Sequence, residues 1–302
     1  MGAVILRNGV EMPNLCFGTG IGAIYGSGLT QIYYGLKSCA KLILRHDAAS
    51  RTSLTLNKLV HVCMENGCTA FDTSRAYGAS EQMLGRALKR YPRETYFVIT
   101  KLCNTDQFRK QTPEGFEKSL SELSLEYVDL YLMHWPVEGL FPESWKEMER
   151  IYESGRCRAI GVCNFHAHHL EELSRHAKIM PMVNEFECHP LLTQNALREY
   201  CRQREIQVMA YTSTARMDER LKKTCLVPLV KKYGKTVAQI ILRWHIQIGN
   251  VPIVNSTNSG HMISNIKIDD FALTEDEVAN ITAINIDSRL RYDPDNCDFT
   301  QL

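Results

Sequence analysis

The sequence lacks the marks of a membrane-spanning or nucleic-acid-binding protein. No apolar run approaches the length that spans a bilayer. A net charge of +1 supplies no electrostatic footprint for nucleic acid or for an anionic membrane. The N-terminal residues contain no apolar stretch leading to a small-residue cleavage site. We therefore expect a cytoplasmic protein with no nucleic-acid and no membrane partner.

Metal-binding and disulfide patterns are also missing. The 11 cysteines are an odd number, they are scattered, and no Cys-x-x-Cys pair occurs. This pattern indicates free thiols in a reducing compartment. The stretch "HAHH" at 166–169 is a further candidate for metal binding. Its histidines are too closely spaced for one helix face, and no nearby cysteine completes a ligand set. A solvated helix start is the favoured interpretation, and no metal is expected.

An alternation of strands and helices organises the 302 residues, without a linker or repeat. Near-continuous apolar runs are typical of strands buried on both faces of a parallel sheet. Amphipathic helical patterns separate eight such runs, which predicts a single (β/α)8 TIM barrel over residues 1–302. The runs are "LCFGTG" (15–20), "TAFDTS" (69–74), "YFVITKL" (96–102), "VDLYLMHW" (128–135), "AIGVCNF" (159–165), "MVNEFEC" (182–188), "QVMAYTS" (207–213) and "VPIVNST" (251–257).

Two segments near the N-terminus need separate interpretation. "VILRNGVEMP" predicts a β-hairpin with an Asn8-Gly9 turn, placed at the bottom of the barrel. The glycine-rich "FGTGIGAIYGSG" is the only support for the rival fold, an open doubly wound sheet, but "GTGIGA" ends in Ala and no helix clearly follows. The long first loop, 21–52, is either a lid over the substrate or a surface insertion with a helix of its own.

Polar residues recur where the predicted strands end. In a barrel these ends meet on one face, which is where barrel enzymes keep their active sites. A single Lys or His at such a position is more often a salt-bridge partner, whereas several converging titratable groups indicate an active site. The residues are Asp72, Tyr77, Lys101, His134, Asn164, Glu185, Tyr211, Ser256 and Thr257.

Four of these residues suit the protonation of a carbonyl oxygen. A free tyrosine is a poor acid near neutral pH, and a neighbouring ammonium group lowers its pKa. Lys101 can therefore activate Tyr77, Asp72 can hold Lys101, and His134 can donate to the same substrate oxygen. The set contains no activated nucleophile, no pair of glycosidase carboxylates and no metal cage. It fits a reaction in which another group delivers hydride.

Six motifs, in order, resemble the aldo-keto reductase family over nearly the whole chain. They are "FDTSRAYGASEQMLG", "VITKL", "YVDLYLMHWP", "GVCNF", "VNEFECHP" and "AYTS". The resemblance implies a barrel that reduces aldehydes or ketones to alcohols with a nicotinamide cofactor. It places the catalytic tetrad on Asp72, Tyr77, Lys101 and His134, and Trp135 in the substrate pocket. The implied partner is a small carbonyl or alcohol substrate.

The resemblance also implies a cofactor site with several departures from the family pattern. Cys163 replaces a serine, Glu185 replaces a glutamine and Gly20 replaces a pocket tryptophan. Asn255 and His261 stand where two cations normally meet the 2′-phosphate, so NADP(H) is favoured and NAD(H) stays an alternative. The implied cofactor-binding residues are Gly18, Thr19, Asn164, Glu185, Tyr211, Thr212, Ser256, Thr257, Asn258, His261 and Asn265.

A non-catalytic function on the same scaffold is the alternative. Because fold alone does not fix function, a nicotinamide-binding regulatory protein would share the barrel and the cofactor site. The intact tetrad favours the enzyme. The sequence gives no indication of the oligomeric state.

Overall fold

A computed structural model of the chain describes residues 2–20 and 54–301. The long first loop, predicted to be a lid or an insertion at 21–52, lies outside these residues. None of the helices in the described ranges combines the length and the apolar character that a membrane crossing requires. The cysteines in the same ranges are free thiols, as the scattered pattern predicts.

Eight parallel strands close into a barrel, which confirms the predicted TIM-barrel fold. The strands are β3 (Cys16–Gly18), β4 (Ala70–Asp72), β5 (Phe97–Leu102), β6 (Val128–Met133), β7 (Cys157–Cys163), β8 (Val183–Glu187), β9 (Gln207–Tyr211) and β10 (Val251–Val254). Their order around the barrel is β10-β3-β4-β5-β6-β7-β8-β9, so each strand pairs with its sequence neighbours and β10 closes onto β3.

Helices cover the outside of the barrel between the strands. Sequence signals set several of their ends. A reciprocal Thr236–Gln239 capping box starts the helix at Val237, because each side chain accepts from the other residue's backbone N–H. The helices are α1 (54–65), α2 (Ser80–Leu88), α3 (Asn104–Phe108), α4 (Thr112–Leu123), α5 (Phe141–Glu153), α6 (Ala167–Ser174), α7 (Asn195–Gln203), α8 (Leu226–Tyr233), α9 (Val237–Gln247), α10 (Ser259–Ile266) and α11 (Glu275–Thr282).

The N-terminal hairpin lies at the bottom of the barrel, as predicted. Strands β1 (Ala3–Ile5) and β2 (Glu11–Pro13) pair antiparallel around the Asn8-Gly9 turn, where Gly9 adopts a φ of 84°. The Asn8 amide donates to the backbone carbonyl of Arg158, 2.9 Å away at the start of β7. Because this contact lies at the amino end of a strand, the opposite face of the barrel is left to the carboxyl ends and their loops.

Candidate active site

A buried carboxyl–ammonium group lies at the carboxyl ends of three barrel strands. Lys101 on β5 is fully buried and donates to the Asp72 carboxylate at the end of β4. Its ammonium also donates to the backbone carbonyl of Thr73 at 3.1 Å and lies 3.5 Å from Glu185 Oε2 on β8. Barrel closure is what brings β4 and β8 around the same ammonium group.

Burial and charge pull these pKa values in opposite directions. Burial alone lowers the pKa of Lys101, but Asp72 and Glu185 outweigh it and raise the pKa well above its usual range. Burial also raises the pKa of Asp72, although the positive charge of Lys101 lowers it in part. Burial and the Asp72 charge raise the pKa of Glu185 to about 8. Lys101 is therefore a permanent cation, and the two carboxyls carry one proton between them at neutral pH.

Tyr77 lies on the open side of this group. It ends a single 3₁₀ turn, Arg75–Tyr77, capped by the Ser74 hydroxyl, which accepts from the Ala76 backbone N–H at 3.1 Å. Its ring is half-buried, with its centroid 5.4 Å from Lys101 Nζ. The turn therefore holds the phenol at the edge of the cation, where a substrate can reach it.

His134 follows β6 and meets Tyr77 from the other side. Their ring centroids are 5.6 Å apart with an interplanar angle of 75°. Burial, and then the charge of Lys101, lowers the pKa of His134 to about 3, so the imidazole is neutral at physiological pH. The Ser74 hydroxyl lies 3.3 Å from His134 Nδ1. If the Ser74 hydroxyl donates to Nδ1, the ring proton of the neutral imidazole lies on Nε2.

Asn164, just after β7, and Tyr211, at the end of β9, form a polar pair across the intervening strand β8. The backbone of Asn164 takes a left-handed conformation with a φ of 66° just after β7. This turns its amide so that Nδ2 donates to the His134 carbonyl at 3.0 Å, while Oδ1 accepts from the Tyr211 hydroxyl at 2.6 Å. Thr212, half-buried, follows Tyr211 with a φ of 52°. The Tyr211 ring is half-buried and leaves one end of the site accessible.

Gly18 and Thr19 lie behind this surface. The Thr19 hydroxyl is buried against Ser80 at 2.5 Å, and its backbone N–H donates to the Asp72 carbonyl at 2.8 Å. A Cβ on Gly18 would approach Ile253 Cγ2 to 2.9 Å, so glycine permits the close contact between β3 and β10. Both residues position β4 and β10, and the buried Thr19 side chain is directed to protein partners.

The segment after β10 lies at the rim of the same face. Asn258 caps α10, and its side-chain oxygen accepts from the backbone N–H groups of Gly260 and His261 at 2.8 and 3.1 Å. His261 is exposed, as is Asn255, whose amide donates to the Gly20 carbonyl at 2.6 Å. Ser256, Thr257 and Asn265 lie on the same rim, with Thr257 exposed and the other two half-buried.

These residues fit the two ends of a nicotinamide dinucleotide. Toward the barrel centre, the half-buried Tyr211 ring offers a surface for stacking, and Glu185 Oε2, 3.5 Å from Lys101 Nζ, makes no hydrogen bond. At the rim, Asn258 caps the start of α10, and its neighbours Ser256 and Thr257 present hydroxyl groups that suit a phosphate. The polar groups at the barrel centre are buried and match the nicotinamide ring. Those at the rim are exposed or half-buried and match the charged phosphates.

The C-terminal segment, residues 284–301, completes the site in a way that the sequence did not indicate. Buried Glu187 accepts from the backbone N–H groups of Leu290 and Arg291 at 2.7 and 3.2 Å, which fixes the segment to β8. Further on, the Phe299 ring lies 6.2 Å from that of Trp135, centroid to centroid. The predicted pocket residue Trp135 therefore has an aromatic partner from the far end of the chain. Glu187, a second glutamate at the end of the otherwise mostly apolar strand β8, was an available signal.

Comparisons with known proteins agree with this geometry. A model of the Aldo/keto reductase family matches residues 46–286. A 9,11-endoperoxide prostaglandin H2 reductase of Trypanosoma cruzi is 43% identical over 241 residues, covering 78% of this chain and 85% of that protein. A glyoxal reductase of Bacillus subtilis is 37% identical over 298 residues, covering 98% and 97%. The crystal structure of a Bombyx mori aldo-keto reductase in complex with NADP has a TM-score of 0.82 at 29% identity, covering 97% of this chain and 95% of that one.

Proposed function

The chain belongs to the aldo/keto reductase family and is an oxidoreductase that reduces carbonyl groups, and from that premise we propose that Tyr77 is the proton donor and NADPH the preferred reductant. The observation that carries the proposal is the buried Lys101 cation, which faces Asp72 on one side and the Tyr77 ring on the other. A permanent positive charge beside a phenol stabilises the phenolate, and so makes the phenol a better acid.

Each residue of the tetrad then has one task. Tyr77 donates its hydroxyl proton to the carbonyl oxygen as negative charge develops there. Lys101 stabilises the phenolate that remains, and Asp72 holds Lys101 in place. His134 presents its Nε2–H to the same carbonyl oxygen and orients it. The neutral state of His134 supports this role, because an imidazolium would compete with Tyr77 as the acid.

The cofactor supplies hydride when it is bound. Asn164 and Glu185 would hold its amide, and Tyr211 would stack on its ring. The rim residues Ser256 and Asn258 would hold its phosphates. The Asn164–Tyr211 hydrogen bond of 2.6 Å supports the arrangement, since it fixes both side chains before any ligand enters.

Small aldehydes, including dicarbonyls such as glyoxal, are the proposed substrate class. One relative aligned over 98% of this chain is a glyoxal reductase. Trp135 and Phe299 offer an aromatic wall beside the reacting groups. An aromatic wall favours the apolar face of a small carbonyl compound and leaves its oxygen to Tyr77 and His134.

The test is the loss of NADPH absorbance with glyoxal and a panel of aliphatic and aromatic aldehydes. We expect turnover with at least one small aldehyde and none without a carbonyl compound. NADPH binding without turnover across the panel would contradict the catalytic proposal and favour a non-catalytic, nicotinamide-binding regulator. Tyr77→Phe provides the matched control, because it keeps the ring and removes the acid.

Cofactor choice provides a second test. Asn255 and His261 supply no permanent cation for a 2′-phosphate, and a charged hydrogen bond contributes about 1.5–3 kcal/mol. We therefore expect only a modest ratio of kcat/KM for NADPH over NADH, and we expect His261→Arg to raise it by supplying a permanent cation. A large ratio in the wild type that His261→Arg leaves unchanged would assign the discrimination to other residues.

A further inference from the structure

Three histidines at the start of α6 and one aspartate of the C-terminal segment form a compact group, here called the histidine–aspartate cluster. Its members are His166, His168, His169 and Asp295, whose ligand atoms all lie within 4.8 Å of one another. The Asp295 carboxylate is 2.8 Å from His166 Nδ1, 3.3 Å from His168 Nε2 and 3.6 Å from His169 Nε2. Three imidazoles therefore converge on a single carboxylate.

The backbone at the start of α6 explains why close spacing does not separate these histidines. His166 precedes the helix as its N-cap, with extended φ and ψ of −80° and 172°. It is therefore not subject to the helical periodicity that argued against a shared face. The rings of His168 and His169 are 4.0 Å apart between centroids, and those of His166 and His169 are 5.9 Å apart. The fourth group, Asp295, arrives from a distant part of the sequence.

The donor set matches a transition-metal site. Zinc in proteins is bound by imidazole nitrogens and carboxylate oxygens in a tetrahedron, with Zn–N distances of about 2.0–2.1 Å. Neutral imidazole is the ligating form. The four donor atoms, three imidazole nitrogens and one carboxylate oxygen, already lie within 4.8 Å of one another.

We propose that His166, His168, His169 and Asp295 bind one divalent transition-metal ion, with zinc the best match, and that the ion fastens the C-terminal segment to α6. This site is separate from the hydride-transfer site and does not depend on the proposed catalytic roles. It also revises the expectation, drawn from the spacing of "HAHH", that no metal binds there.

Metal binding at the cluster replaces two weaker interactions. The His166 backbone N–H donates to His169 Nδ1 at 3.1 Å, and the Arg289 guanidinium lies 3.3 Å from His166 Nε2. A metal on His169 Nε2 moves that ring's proton to Nδ1 and opens the first contact. Arg289 can withdraw toward Glu187, whose carboxylate is 4.0 Å from the other end of the guanidinium. The cluster must also contract, and His168, with a side chain 60% exposed, is free to rotate inward.

Because Asp295 lies close to Phe299 in the sequence, the proposed metal site also affects the substrate pocket. Four residues further on, Phe299 contacts Trp135, and its carbonyl accepts from the Asn104 amide at 3.1 Å. A metal held by Asp295 therefore anchors the stretch of chain that carries the aromatic wall. Without the metal, hydrogen bonds to the same histidines hold this stretch.

Zinc titration of the untagged, chelator-stripped full chain tests the proposal, using calorimetry and competition with a chromophoric zinc chelator. We expect one zinc ion per chain, bound at least tenfold more tightly than by Asp295→Asn or His168→Gln. Both positions are exposed, so both variants are expected to fold, and circular dichroism checks this. His176→Gln, an exposed histidine outside the cluster, is the matched control and should bind like the wild type.

A second readout separates this site from zinc binding by thiols. Hydrogen exchange in residues 289–300 should slow on zinc addition in the wild type and in His176→Gln, and stay unchanged in Asp295→Asn. Equal zinc affinity in the wild type and both cluster variants would overturn the proposal. Tight binding that leaves exchange of the C-terminal segment unchanged would overturn the claim that the metal fastens it.

Discussion

Replacing Glu185 by glutamine tests the charge state of the buried group around Lys101. Asp72 and Glu185 face one ammonium group, and the three side chains are at most 5% exposed. Only one negative charge is balanced there, so the second carboxyl keeps its proton. Burial raises the pKa of both carboxyls, that of Glu185 to about 8, so the pair keeps one proton at physiological pH.

The size of the effect follows from linkage between protonation and folding. The pKa of Glu185 is about 8 in the folded protein against an ordinary 4.5. The difference, 8 − 4.5, corresponds to a ceiling of about 5 kcal/mol at about 1.4 kcal/mol per pH unit. Because the folded pKa is raised, this stability is fully present below pH 4.5 and is lost as the pH rises through 8. Since Asp72 shares the proton, we expect a measured loss of about 2–4 kcal/mol.

The assay is denaturant unfolding of the wild type and Glu185→Gln at pH 5.5, 7.0 and 8.5. Glutamine cannot ionise, so the free energy of unfolding of the variant should gain on the wild type as the pH rises. Burial also raises the pKa of Glu81, to about 7, but Glu81 is present in both proteins and cancels in the difference. The exposed Glu126→Gln is the control for removing one carboxylate.

A flat difference between the two proteins from pH 5.5 to 8.5 would refute this reasoning. The other titratable groups facing Glu185 do not reproduce the effect. Burial raises the pKa of the Cys16 and Cys163 thiols and of the Tyr211 phenol well above their usual range, so all three stay neutral through the titration. Lys101 stays charged throughout. The change in stability therefore belongs to Glu185 and its partner Asp72.

Three further substitutions test the proposed roles. Tyr77→Phe should lower turnover by about 100-fold or more while NADPH binding, followed by fluorescence, is retained; near-normal turnover would exclude Tyr77 as the acid. Lys101→Met leaves Asp72 and Glu185 without their cation, so we expect the variant to lose turnover and to have a lower Tm at pH 8 than at pH 5. If the alkaline side of the pH–rate profile of its residual activity is unchanged, Lys101 does not tune the pKa of Tyr77. Tyr211→Ala should weaken NADPH binding by about 1–2 kcal/mol, and unchanged affinity would exclude stacking.

The barrel was predictable because its signal is periodic and repeated eight times. The predicted strands nevertheless ran too long at their carboxyl ends. The first was predicted at 15–20 and the last at 251–257, whereas β3 ends at Gly18 and β10 at Val254. Of the extra residues, Thr19 still donates its backbone N–H to the Asp72 carbonyl and buries its side chain against Ser80, whereas Ser256 is half-buried in the loop after β10. A polar residue predicted at the end of a strand can therefore lie either behind the site or in its loops.

The long-range parts of the site were not predictable. Asp72 and Lys101 could be placed together because neighbouring strands of a barrel must pair. No such rule places Phe299 against Trp135, or Asp295 against His166, because the C-terminal segment has no periodic pattern and follows the last helix. A local clue was Glu187, a buried charged residue at the end of β8, whose partners are backbone N–H groups of that segment.

Two departures from the family pattern, treated as separate substitutions in the sequence, occupy adjoining positions in the structure. Cys163 and Glu185 are register partners across β7 and β8. A thiol is a weaker donor than the serine hydroxyl it replaces, and an ionised Glu185 would offer no donor at all. The neutral acid keeps one O–H, for which Asp72 and a bound ligand compete as acceptors. We therefore expect Glu185 to be compatible with cofactor binding at neutral pH and to lose this donor as the pH rises past 8.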